Sequence, residues 1–222
     1  MTYRVESVGL AAVRIGRMEL MPDPRVRTED LTGKARIRNA AMDLYSQYGE
    51  DRTSMRAIAA EAGVNVGLLV HHFKNKDGIR EAVEELVVAY FREAIRAVPS
   101  EGSPREVTGA RDAAVERMLE SHPAVVNYLR RALLDPAEPR GHLLERLTEL
   151  TKDEAAKARE SGTMPGHGRE STQVVSIIVR QLGRLFLQPM VDTMWDQLAG
   201  PDETEDDKPV LIVAVRDVPS TE

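Results

Sequence analysis

No cysteine occurs among the 222 residues. A disulfide framework, a thiolate-bound zinc and thiol catalysis are therefore excluded. The five histidines, His71, His72, His122, His142 and His167, form no HExxH-type ligand pair. Neither GxSxG nor GxGxxG is present, so the sequence offers no nucleophile elbow and no dinucleotide fingerprint. Residues 162–168 (GTMPGHG) are rich in glycine. They lack the spacing of a phosphate cradle and read as a connector. Carboxylates in the later part of the chain stand beside basic neighbours, as in Glu145/Arg146 and Asp153/Glu154/Lys157. That pattern fits solvated helix faces. No metal site, no cofactor and no enzyme activity are expected. The apolar run at residues 8–13 is short and is soon followed by Arg14 and Arg17, which is not a secretory signal. No segment reads as long enough to span a bilayer, so a cytoplasmic protein without a membrane partner is expected.

The chain has a net charge of −6, but the charge is unevenly placed. Residues 25–80 hold ten Lys/Arg and seven Asp/Glu, the first 24 residues balance, and the remainder carries −9. A mildly basic head on an acidic body is the electrostatic footprint of a modular nucleic-acid binder.

Residues 53–79 (TSMRAIAAEAGVNVGLLVHHFKNKDGI) carry the most information. Met55, Ile58, Ala59 and Ala62 share one helical face. Gly63 then breaks the pattern, and it can take the positive φ that a sharp turn requires. Asn65 is a good N-cap for a second helix over residues 66–72. Two short helices around a glycine turn predict a helix-turn-helix, whose second helix enters the DNA major groove.

The surrounding residues resemble the TetR/AcrR family of one-component bacterial regulators. Residues 31–49 (LTGKARIRNAAMDLYSQYG) resemble the family's first helix, and Ser54-Met55-Arg56-Ala57-Ile58-Ala59 its second. Gly63-Val64-Asn65-x-Gly67-x-Leu69, His72-Phe73 and Lys76 resemble its third helix and the start of its fourth. The resemblance covers about fifty residues at fixed spacing. The chain departs from it at Val70, where most members carry a tyrosine that binds a DNA phosphate. The resemblance implies an all-α fold: a three-helix head at residues 31–78 and a larger helical body at 79–200 for effector binding and dimerisation. It also implies DNA contacts from Lys34, Arg38, Thr53, Ser54, Asn65, Val66, Gly67, Leu68, Val70, His71, His72 and Lys76.

Residues 1–30 contain Pro22 and Pro24 with Arg25 and Arg27. They read either as a tail or as a basic arm in which Arg25 and Arg27 reach the minor groove. Asn75 can cap a fourth helix running to about Val98. Ser103-Pro104-Arg105-Glu106 is a capping box with proline at the first helical position. His122-Pro123 ends that helix, and another carries Val126, Leu129, Leu133 and Leu134. A turn at residues 135–139 leads to an amphipathic helix over 141–160. Residues 170–198 are apolar, with Pro189 expected to kink or divide them. Residues 201–222 form a tail with an acidic run at 202–207. In it, Val210-Leu-Ile-Val-Ala-Val215 reads either as a strand or as a peptide docked on the body.

By resemblance, the chain is expected to be a homodimeric repressor of a near-palindromic operator, released by a small, largely apolar effector. The effector pocket is expected around Met118, Tyr128, Leu129, Leu147 and Phe186. The dimer interface is expected at Val175, Val179, Leu182, Gly183, Phe186, Met190 and Met194. A DNA-binding architectural or partner-docking protein without a ligand is the alternative, and an enzyme the remote one.

Overall fold

The computed structural model describes residues 23–25, 32–134, 142–163 and 169–215. Arg27, the turn at 135–139 and His167 lie outside the described residues. The described chain is all-helical: α1 (Gly33–Tyr48), α2 (Met55–Glu61), α3 (Val66–Phe73), α4 (Lys76–Arg96), α5 (Pro104–Ser121), α6 (Pro123–Leu134), α7 (Leu143–Glu160) and α8 (Glu170–Leu198). A single 3-10 turn follows at Glu205–Asp207.

Local signals start and stop the first five helices. Thr32, Ser54, Asn65 and Asn75 each accept an amide of the following first turn. Ser103 and Glu106 complete a reciprocal capping box. Gly63 has φ +62° between α2 and α3, the left-handed conformation that the turn demands.

One buried cluster runs from Ile37 in α1 to Leu150 in α7, so the three-helix head shares its core with the body. Each fully buried large apolar side chain contributes about 1.5–3 kcal/mol. α4 supplies Ile79, Val83, Leu86, Val87, Tyr90 and Phe91 to this core. α6 packs closely on α1, where Tyr45 and Tyr128 stack with ring centroids 6.5 Å apart.

α8 departs from expectation. It is one continuous helix of 29 residues with Pro189 inside it. Proline removes the amide that would serve the carbonyl four residues earlier. That carbonyl, of Leu185, instead accepts from Arg130 Nη2 at 3.4 Å. The freed acceptor is satisfied by α6, and the helix continues. Its length and composition also suffice for a bilayer crossing, contrary to the sequence reading. However, Arg180 and Arg184 of α8 pair with Asp112 and Glu116 of α5 at 2.9 and 2.7 Å.

Residues 208–215 form no strand. They run extended along α8, with Val213 over Gly183.

Candidate nucleic-acid interface and body cleft

α3 has two faces set by its period. Leu69 and Phe73, one turn apart, are buried against the core. Val66 and Val70, on the other side, are 38% and 45% exposed, and His71 is exposed. Gly67 keeps the first turn low. A Cβ there would lie 3.2 Å from Asn65 Oδ1, the atom that caps the helix by accepting from the Leu68 amide at 2.7 Å. The outer face is thus short, apolar and backbone-accessible, with imidazoles at its end. The rings of His71 and His72 meet edge to face at 5.3 Å.

The start of α1 joins this surface. A Cβ on Gly33 would lie 3.1 Å from Leu68 Cδ2 and 3.8 Å from His72 Nε2. Leu68 is therefore half-buried beneath α1 rather than fully presented. Lys34 Nζ stands 5.9 Å from the Phe73 ring centroid, which places an ammonium beside the C-terminal end of α3. Lys34, Leu68, His71 and His72 are thereby brought together with Val66, Gly67 and Val70.

Other expected DNA residues are engaged elsewhere. Thr53 is buried, and its hydroxyl donates to the Gly49 carbonyl at 2.8 Å. Ser54 is exposed, but its oxygen caps α2 by accepting the Ala57 amide at 3.1 Å. Lys76 Nζ donates to the Glu50 carbonyl. Arg80 pairs with the Glu50 carboxylate at 3.1 Å. All of these hold the α1–α2 turn. Arg38 donates to its neighbour Asn39. Arg25 does not extend as an arm: its guanidinium pairs with Asp43 at 2.7 Å, and its amide donates to Asp23. Asp23 in turn accepts from the Tyr90 hydroxyl at 2.7 Å. Asp43 lies ten residues, or about 15 Å of helix, beyond Gly33, so Arg25 is anchored away from α3.

Arg56 and Lys74 were not among the residues expected to contact DNA. Both are exposed near α3 in the chain and have no ion pair among the described residues. Their signal was available: a cation in the first turn of α2, and one at the end of α3, where Lys74 has φ +66°.

The expected effector residues do not come together in either of the two body cavities formed by the described residues. Met118, Tyr128 and Leu129 are at most 4% exposed and belong to the core. Burial pushes the Tyr128 phenol well above its ordinary range. Phe186 is half-buried against the same core. Only Leu147 lines the cleft between α4, α5, α7 and α8, which holds about 80 Å³. A second cavity of about 320 Å³ lies between α5, α6 and α8. Asp112, Arg180 and Gln181 line both. Asp112 accepts from Arg180 at 3.0 Å and from Gln181 at 3.4 Å, forming a polar wall between the two spaces.

On α8, Val175, Met190 and Met194 are exposed, whereas Val179, Leu182, Gly183 and Phe186 are half-buried. Leu182 lines the first cleft.

Residues 37–83 match the family described as bacterial regulatory proteins, tetR family. The chain is 31% identical over 141 residues to the HTH-type transcriptional regulatory protein RaaS of Mycobacterium tuberculosis. That match covers 64% of this chain and 62% of RaaS. It is 36% identical over 118 residues to the HTH-type transcriptional repressor Rv3405c of the same organism, covering 53% of this chain and 55% of that one. The matches thus span less than two thirds of these curated relatives. Among solved structures, the fold is similar to the fatty acid degradation regulator FadR of Bacillus halodurans. The TM-score is 0.54 at 15% identity, covering 74% of this chain and 84% of that one.

Proposed function

Because the chain belongs to the TetR family of bacterial regulatory proteins, we propose that it is a DNA-binding transcriptional repressor that works as a homodimer. The observation that carries this reading is the two-faced α3. Its buried side is fixed by Leu69 and Phe73, and its open side is bordered by Lys34 and the two histidines. A helix held rigidly by its back while its front stays free is suited to insertion in a major groove. The similarity to a relative named as a repressor supports the sign of the regulation.

A dimer must place two such helices about 34–36 Å apart, or a multiple of that, to match successive major grooves. A small, largely apolar effector releases the operator by favouring a protomer shape in which that spacing is lost. The cleft between α4, α5, α7 and α8 is too small for a typical ligand, which needs ~300–1,000 Å³. Opening the Asp112–Arg180 wall would join it to the larger cavity, and the displaced α5 and α6 would carry the change towards α1. The ligand need favour the released shape by only a few kcal/mol.

The test is selection of bound fragments from genomic DNA by the purified protein, followed by titration of the recovered sites. A two-fold symmetric motif with saturable binding is expected. Fragments lacking symmetry, bound with one protomer each, would instead fit an architectural DNA-binding protein.

A further inference from the structure

α8 leaves a long apolar surface uncovered. Val174 is its one buried residue, while Val175, Leu187, Met190 and Met194 are each about half exposed. The segment that follows does not leave this surface. Residues 208–215 turn back along α8 and are held at three points. Lys208 pairs with Asp192 at 3.7 Å. The Gln188 side chain meets the tail backbone twice, accepting from the Leu211 amide at 2.8 Å and donating to the Pro209 carbonyl at 3.3 Å. Val213 fills the notch at Gly183, where a Cβ would come within 2.9 Å of Val213 Cγ2. Gly183, expected in the dimer interface, thus receives this chain's own tail.

The tail alternates. Leu211, Val213 and Val215 are half-buried, while Val210 and Ile212 point outwards at 60% and 85% exposure. An extended, β-branched segment with an apolar outer side is a template for further pairing. Among the described residues, the backbone amides of Val210, Ile212 and Val213 make no hydrogen bond. We propose that residues 208–215 are a strap that joins the outer face of α8 in the surface on which a second copy of this chain docks, with Val210 and Ile212 covered by that copy. This rests on the homodimer reading and says what the interface is made of: one helix and one strap from each protomer.

Two features favour a second copy as the occupant. A two-fold axis brings an open extended edge against its own antiparallel image, so the surface is complementary to itself. The acidic run Asp202, Glu203, Glu205, Asp206 and Asp207 directly precedes the strap, which repels nucleic acid and anionic lipid alike.

Sedimentation velocity over a concentration series tests this on the full chain, on Ile212→Asp, on Met190→Asp and on a chain ending at residue 207. Ile212 is exposed in the protomer, so its replacement leaves the fold intact, as circular dichroism would verify. The full chain should dimerise. Ile212→Asp and the truncated chain should weaken the dimer at least about tenfold, as Met190→Asp does. A dimer broken by Met190→Asp but unaffected by Ile212→Asp and by truncation would overturn the strap and leave the homodimer standing. A full chain that stays monomeric at every concentration would overturn the homodimer itself. Monomers that sediment with anionic-lipid vesicles would assign the surface to a membrane instead.

Discussion

Arg131 of α6 donates from Nη2 to the carbonyl of Gln47 at 2.9 Å, and from Nε to that of Ser46 at 3.1 Å. These oxygens belong to the last turn of α1, where a helix has no amides of its own left to serve them. The preceding residue, Arg130, reaches the opposite way to Leu185 of α8. Two successive side chains of α6 therefore grip the end of the head's first helix and the midpoint of the outermost helix. A shift of α6 relative to α8 moves the α1–α2 turn with it.

Arg131→Ala should loosen this connection. The contacts are largely solvent-exposed, so the expected loss in unfolding free energy is only about 1 kcal/mol. The larger effect should fall on coupling: operator DNA should still bind, but effector should release it less completely. Lys at this position should not restore the response, because one ammonium on a flexible stem does not reproduce the planar fork. Titration of DNA with and without effector reads this directly. A variant that releases DNA as fully as wild type would remove α6 from the route.

Base readout by α3 should be weak at any one position. Its free face offers Val66, Gly67, Val70 and His71, with Leu68 partly withdrawn under Gly33 and the Asn65 oxygen engaged in capping. No side chain there can make the two-pronged contact of Arg to guanine or Gln to adenine. Single base changes in the operator should cost towards the low end of ~1–3 kcal/mol, with DNA shape contributing to selectivity. Arg56→Ala and Lys34→Ala should each lower affinity across all sequences and reduce the salt slope by about one unit. Arg25→Ala should leave the slope nearly unchanged, since Asp43 already holds that guanidinium. Binding isotherms over a salt series check all three. An operator dominated by invariant guanines, each costing more than the stated range, would contradict this account of α3.

The head was legible because its instructions are local. Asn65 and Asn75 each act within three residues, and Gly63 acts on its own φ. The features that escaped the sequence join distant positions. Arg131 meets residues 84 and 85 places away, and Arg130 meets one 55 away. Pro189 reads as a helix breaker until Arg130 is known to serve the Leu185 carbonyl. Thr53 and Lys76 were expected at DNA by resemblance; that they also hold the α1–α2 turn, through the Gly49 and Glu50 carbonyls, was not legible in the sequence. Tyr128 was expected at the effector pocket by resemblance, and only the structure shows it stacked on Tyr45 within the core. Side chains with equivalent local patterns were separated only by what lay opposite them.

Glu84 should give the fold a specific pH dependence. It is 1% exposed within α4. Burial pushes its carboxyl above the ordinary range, opposed by the His142 amide and by Arg146, whose Nε lies 3.4 Å away. Its folded value exceeds its unfolded one, so stability from the protonated group is present below the unfolded value. It is lost as pH rises through the raised folded value. Glu84→Gln removes that titration. The stability of Glu84→Gln relative to wild type should therefore increase as pH rises from the ordinary carboxylate range through the raised folded value of Glu84, measured by urea unfolding at each pH. A constant difference across this interval would show that the carboxyl does not change charge there.

The effector response should depend on the wall between the two body cavities rather than on Tyr128. Tyr128 is 4% exposed and stacked in the core. Tyr128→Ala should cost about 3–5 kcal/mol of stability, as large-to-small changes of buried aromatics do, without a selective effect on effector. Leu147 instead borders the smaller cleft. Leu147→Trp should fill that space, leaving operator affinity within a few-fold of wild type but abolishing release. Asp112→Asn should weaken the hold on Arg180 and make the joined cavity easier to enter. That variant should respond at lower effector concentration, because less of the binding energy is consumed in opening the wall. The measurement is release of labelled operator against effector concentration, with melting temperature recorded on the same samples. If Leu147→Trp still releases DNA while Tyr128→Ala folds normally and does not, the effector lies against α6 after all, and the cleft is only a packing defect.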